Sequence, residues 1–164
     1  MLGFIALYAG FTVLWQALAD TPLLHAWIEQ IVVPAAAAWL AAGASLAGSG
    51  SVFVAEGARL VGTASSLNVL PGCEGSDAML LVAAAVLVAP RSGGQRLLGL
   101  LVVLGLVFAL NQVRLAGLLW ALAHDRALFD RLHTLWLPLA LVLASVGVFW
   151  AWLHASAPRS ELTP

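Results

Sequence analysis

Leu97-Leu-Gly-Leu-Leu-Val-Val-Leu-Gly-Leu-Val-Phe-Ala-Leu-Asn-Gln-Val-Arg-Leu-Ala-Gly-Leu-Leu-Trp-Ala-Leu122 carries a single charge, Arg114. Such a run exceeds the roughly 20 apolar residues that a helix needs to cross a ~30 Å hydrocarbon core. The rest of the chain shares the bias: of 164 residues, 62% are hydrophobic and 9% charged, and the mean hydropathy is +1.00. A soluble domain of this size needs more charge to cover its surface, so the composition is that of an integral membrane protein in contact with the lipid bilayer. A net charge of -1 with only 7 basic residues, all arginine, provides no basic footprint for nucleic acid.

Outward from this run, turn signals divide the chain into about five expected spans. The first covers about Met1 to Ala19 and ends at Asp20-Thr21-Pro22. Ala17-Leu18-Ala19 resembles a leader cleavage site, but no Lys or Arg precedes the run, so a retained span is expected. The second covers about Ile28 to Ala47, with a kink expected at Pro34. The third, about Asp77 to Ala89, is short, closed by Pro90 and expected to be capped by Ser76 or Asp77. Arg91-Ser-Gly-Gly-Gln-Arg96 then turns into the fourth, about Leu97 to Leu122. His124 to Leu132 mixes charges with apolar residues, as a short interfacial helix does, and the fifth span covers about Thr134 to Leu153. Between Gly48 and Gly75 the chain is too polar and broken to span, which predicts an extramembrane or re-entrant loop with short extended pieces. The fold expected is all-α: a polytopic membrane helix bundle of about five transmembrane helices, in one domain over residues 1–155, with a polar tail over 156–164.

Arginine counts on the two faces balance, so the positive-inside rule alone does not orient the chain. The tight Arg91 to Arg96 turn is the cleaner cytoplasmic signal, because Arg126 and Arg131 alternate with acids.

Five alternating crossings bring three sequence-distant polar features to one face: Cys73, the pair Asn111 and Arg114, and His133. Cys73 is the sole cysteine, which excludes a disulfide framework, a Cys-x-x-Cys pair and a multi-cysteine zinc site. It is left as a buried filler, a lipidation site or a nucleophile. It precedes a helix amino terminus, which favours thiolate, and Gly72 and Gly75 flank it and permit close backbone approach. Glu74 works the other way unless Arg114 offsets it. Arg114 lies about 9 Å below Trp120 along the helix, within snorkelling reach of the interface. It either snorkels, pairs with a carboxylate such as Asp77, or stands as a fixed cation in a cavity. Asn111, three residues earlier on the same face, shares its environment. His133 is an interfacial anchor or a general base, with His124 as the alternative base. His25 and His154 are expected on the opposite face. That division disfavours a haem or metal site, and no cofactor is expected.

Gly72-Cys73-Glu74-Gly75 followed by Asp77-Ala-Met-Leu-Leu, then Asn111-Gln-Val-Arg114 in an apolar helix, then a histidine heading the last helix, resembles the exosortase and archaeosortase family of membrane transpeptidases. The likeness runs over roughly Leu70 to Trp152. It implies a membrane-embedded cysteine peptidase of the compact kind, with Cys73 as nucleophile, Arg114 as essential cation and His133 as third member of the site. It further implies exported proteins with a carboxyl-terminal sorting tail as substrates, a lipid or glycan amine as acceptor, and an active site on the extracytoplasmic face of the plasma (inner) membrane. From the residues themselves, a competing reading is a non-enzymatic accessory subunit or small carrier for envelope export, with Asn111 and Arg114 lining a polar path. A carrier more often shows inverted repeats or paired broken helices, and the sequence has neither.

Overall fold

The computed structural model describes residues 2–18, 21–46 and 51–157. Five helical rods and a small sheet follow in chain order: α1 (Leu2–Leu18), α2 (Pro22–Leu46), β1 (Phe53–Glu56), β2 (Arg59–Gly62), β3 (Ser66–Asn68), α3 (Ser76–Val88), α4 (Gly93–His124) and α5 (Arg126–Ala155). Three of the helices, α2, α4 and α5, are long and apolar enough to cross a membrane, while α1 and α3 are shorter apolar helices. Met1, Ala19, Ala47, Gly48 to Gly50 and the tail from residue 158 lie outside the described residues.

Prolines shape two of the rods. α2 widens into a π-helical turn over Ile28–Val32 and α5 does so over Leu132–Trp136, each just ahead of a proline, Pro34 and Pro138. A proline offers no N–H to the carbonyl four residues back, and the helix adjusts upstream. In α5 the adjusted bond runs from the Leu137 N–H to the Leu132 carbonyl. The segment expected as a separate interfacial helix is thus the first part of α5, continuous with the last expected span.

The loop between α2 and α3 holds a three-stranded antiparallel sheet in the order β1-β2-β3, so the fold is helical with a β element rather than all-α. Gly57 at φ 58° heads the two-residue turn between the paired Glu56 and Arg59, where a tight hairpin calls for glycine. Leu60, Leu67 and Val69 point into a core shared with Leu24, Ile28, Val32 and Val33 of α2 and with Leu115, Leu118 and Leu119 of α4. The Ser65 hydroxyl donates to the Leu119 carbonyl at 3.0 Å and ties the sheet to the outer part of α4. A second core joins α3, α4 and α5 through Ala78, Val82, Val86, Val103, Val107 and Leu141.

The two ends of the bundle are built differently. At one end, Ser92 and Gln95 form a reciprocal capping box that starts α4. Beside it, Arg91 donates to the Leu153 carbonyl at 2.6 Å and to the Ser156 hydroxyl at 2.9 Å, satisfying acceptors at the end of α5. One turn further along, the Trp152 ring lies over Gly99, where any Cβ would come within 2.4 Å of it. At the other end sit the sheet and the turn that carries Cys73. The carboxyl end of α1 is also there, because the Trp15 indole donates to Glu74 at the head of α3.

Of the five expected crossings, three helices reach spanning length, and α1 and α3 fall short of it. The beginning of α2 packs under the sheet through Leu24 and Ile28, with Trp27 against Phe108 of α4. Late in α2, Leu40, Gly43 and Ala44 line a cavity with Phe53 of β1 and Ala116 of α4. Over its 25 residues α2 packs alongside α4. Phe108 and Ala116, its successive contacts on α4, are only about 12 Å apart along that helix.

Candidate functional site

Cys73 occupies a turn whose shape depends on its two glycines. Gly72 and Gly75 adopt φ 94° and 85°, values that side-chain-bearing residues avoid. Gly75 is doubly constrained, since a Cβ there would meet Asn111 Cγ at 2.7 Å and Oδ1 at 2.9 Å. The backbone turn and α4 are thus in direct contact. Asn111 uses the closeness: its Nδ2 donates to the Cys73 carbonyl at 3.3 Å, and its Oδ1 accepts from Arg114 Nη1 at 3.4 Å. Gly75 itself is the residue ahead of α3, and no side chain caps that helix. Ser76, expected as a cap, instead donates its hydroxyl to the Glu74 carboxylate.

Cys73, Arg114 and His133 line one cavity of about 470 Å³, together with Gly72, Gly75, Asp77 and Ala78 on one wall and Thr134, Pro138, Leu141 and Val142 on the other. The lining comes from the Cys73 turn and α3, from Arg114 of α4 and from α5. One end of its lining is polar and the other apolar.

Arg114 neither reaches the surface nor pairs with an acid. It is only 7% exposed, and the one ion pair within 4.0 Å among the described residues is Arg126 with Asp130. Its Nε has no hydrogen-bond partner, and neither does the buried Nδ1 of His133. An unpartnered buried polar atom costs about 1–3 kcal/mol, so two of them beside one cavity form a site ready to accept a polar ligand.

The imidazole of His133 stacks on Phe129 with ring centroids 5.3 Å apart and planes within 6°, which fixes its orientation. The π-helical turn places it. His124, the alternative base, is exposed, engages the Trp120 carbonyl of its own helix at 2.8 Å and does not line the cavity. His154 does the same with the Trp150 carbonyl at the far end of α5. Two opposing influences on the thiol were legible from sequence, and burial outweighs both. It pushes the Cys73 thiol above its ordinary range; the positive charge of Arg114 pulls it down, and Glu74 adds to the rise.

Trp15 escaped sequence reasoning, and Glu74 was read there only as a charge beside the thiol. Glu74 is fully buried, with Oε1 accepting from Trp15 Nε1 at 3.3 Å and Oε2 unpartnered. Trp15 lies 59 residues away on a helix that nothing in the sequence connects to Cys73. A carboxylate next to the sole cysteine was the available signal for Glu74, and Trp15 had none.

Neither any family model, nor any curated protein, nor any solved structure matches the chain.

Proposed function

We propose that the protein is a membrane-embedded cysteine peptidase or transpeptidase that removes carboxyl-terminal sorting tails from exported proteins. One observation carries this reading: a thiol, a buried guanidinium with a free Nε and an imidazole with a free Nδ1 border the same cavity. His133 takes the proton of the Cys73 thiol, and the sulfur adds to the carbonyl carbon of the scissile amide. The carbonyl oxygen becomes an oxyanion, toward which Arg114 directs its N–H donors. As the tetrahedral species collapses, the C–N bond breaks and the departing amine receives the proton from the imidazolium. Water, or an amine on a lipid or glycan, then attacks the thioester and regenerates the thiol. Asn111 holds both the Cys73 carbonyl and the guanidinium, and so sets the spacing between nucleophile and cation.

In this reading α2, α4 and α5, the helices long enough to span, cross the bilayer, and the sheet lies on the face that carries Cys73. The Arg91 to Arg96 turn is cytoplasmic and the site extracytoplasmic, at the plasma (inner) membrane. A substrate's polar recognition segment fits the Cys73, Asp77 and His133 end of the cavity, and the start of its hydrophobic helix fits the Pro138, Leu141 and Val142 end.

The test compares the two candidate bases in cells that also express an exported protein with a candidate tail. His133→Asn abolishes tail removal and His124→Asn leaves it near wild type; the reverse pattern overturns the assignment.

A further inference from the structure

The carboxylate of Glu74 sits at the junction of three parts of the molecule. It neighbours Cys73 in sequence, accepts from the Ser76 hydroxyl at the head of α3, and accepts from Trp15 Nε1 of α1 at 3.3 Å. It is 0% exposed, and Oε2 has no partner. A carboxylate so placed is costly unless its charge or its bonds serve the surrounding structure. The turn it belongs to is held on the opposite side by Asn111 and has positive-φ glycines on both flanks. Cys73 is half-buried and packs against the core shared by α2, α4 and the sheet.

We propose that Glu74 is a positioning residue: the Trp15–Glu74–Ser76 chain locks the turn that carries Cys73 to the amino-terminal helix, and its buried charge sets how readily the thiol reacts. The charged and titratable groups around the thiol are Glu74 itself, Asp77 of α3, Arg114 of α4 and His133 of α5. From α1 the group that reaches this cluster is the neutral indole of Trp15. Glu74 therefore opposes Arg114, and the pair adjusts a thiolate fraction that burial already holds down. The electrostatic influence of Glu74 on Cys73 runs in the direction that this role requires, raising the thiol. The inference rests on reading Cys73 as the nucleophile, but it concerns the reactivity of the thiol and not the identity of the substrate.

Because the chain has a single cysteine, iodoacetamide reports on Cys73 alone, in the full chain in membranes and without substrate. In Glu74→Gln, which keeps the shape and removes the charge, the pH midpoint of alkylation moves down. Below the midpoint the alkylation rate rises with the thiolate fraction. Trp15→Phe keeps an aromatic ring and removes the donor, which loosens the turn. Its alkylation is faster than wild type, and Trp15→Phe combined with Glu74→Gln is no faster than Glu74→Gln alone. A purely structural role changes the rate without moving the midpoint. An unmoved midpoint in Glu74→Gln overturns the proposal, as do effects of the two substitutions that simply multiply. If Glu74→Gln does not accumulate, Trp15→Phe at the wild-type rate overturns it by itself. Tail removal by the unaltered chain, measured separately, tests the peptidase reading, so failure of one is distinguishable from failure of the other.

Discussion

Replacing Gly75 by alanine is the sharpest perturbation of the site that leaves every functional group in place. Two costs add. The backbone at φ 85° disfavours any Cβ by about 1–2 kcal/mol. The new methyl also falls 2.7 Å from Asn111 Cγ and 3.0 Å from its Cβ. Asn111 cannot swing aside freely, since it is held by the Cys73 carbonyl on one side and by Arg114 on the other. Overpacking of this kind costs about 1–3 kcal/mol. Gly72 is the internal control. It has φ 94° but nothing within 4 Å of its added Cβ, so Gly72→Ala incurs only the backbone cost. The difference between the two substitutions isolates the contact with Asn111, roughly 5- to 150-fold in the equilibrium for opening the turn. Alkylation of Cys73 reads that equilibrium, because opening exposes the half-buried thiol. Gly75→Ala is expected to react faster than Gly72→Ala by that margin, and the margin shrinks in an Asn111→Ala background, where the methyl has fewer atoms to meet. Equal rates for the two glycine variants would refute the close approach of the turn to α4.

Four further outcomes follow from the geometry. Gly99→Ala forces the Trp152 ring away and destabilises the protein in detergent by about 1–3 kcal/mol, and Trp152→Ala in the same chain recovers part of the loss; a fully stable Gly99→Ala would contradict the packing of α4 on α5. Since burial holds the Cys73 thiol above its ordinary range, less thiolate is present at neutral pH, and alkylation of the folded protein reaches its midpoint at a higher pH than a free cysteine does. Arg114→Gln removes the opposing positive charge and moves that midpoint further up, whereas a downward shift would reverse the sign argued here. Arg114→Lys keeps the charge but not the guanidinium fork, and tail removal is expected to fall by about 10²-fold, with near-normal processing showing that a point charge is sufficient.

The helices were readable from sequence because each is a long apolar run ended by Pro, Gly or a charge. Structural boundaries lie one residue from the reading at Ser76–Val88 against Asp77 to Ala89, whereas α2 begins at Pro22 instead of about Ile28 and α5 at Arg126 instead of about Thr134. The sheet was visible only as short extended pieces. Its strands are three or four residues long, too short for an alternating pattern to emerge from glycine-rich surroundings. The grouping of Cys73, Arg114 and His133 around one cavity was readable because it depends on the order of the segments after Cys73 and not on the number of crossings ahead of it. Trp15 was invisible, because its bond to Glu74 depends on which helix lies beside α3 and no local spacing encodes that.

The central claim is that Cys73 attacks a peptide carbonyl. It is tested most directly by co-expressing exported proteins bearing candidate carboxyl-terminal tails with the unaltered chain or with Cys73→Ala, and recording the intact mass of the exported protein. The account predicts a product shortened by the tail with the unaltered chain, and a full-length protein with Cys73→Ala present at the same membrane level. A shortened product formed equally well with Cys73→Ala would contradict it.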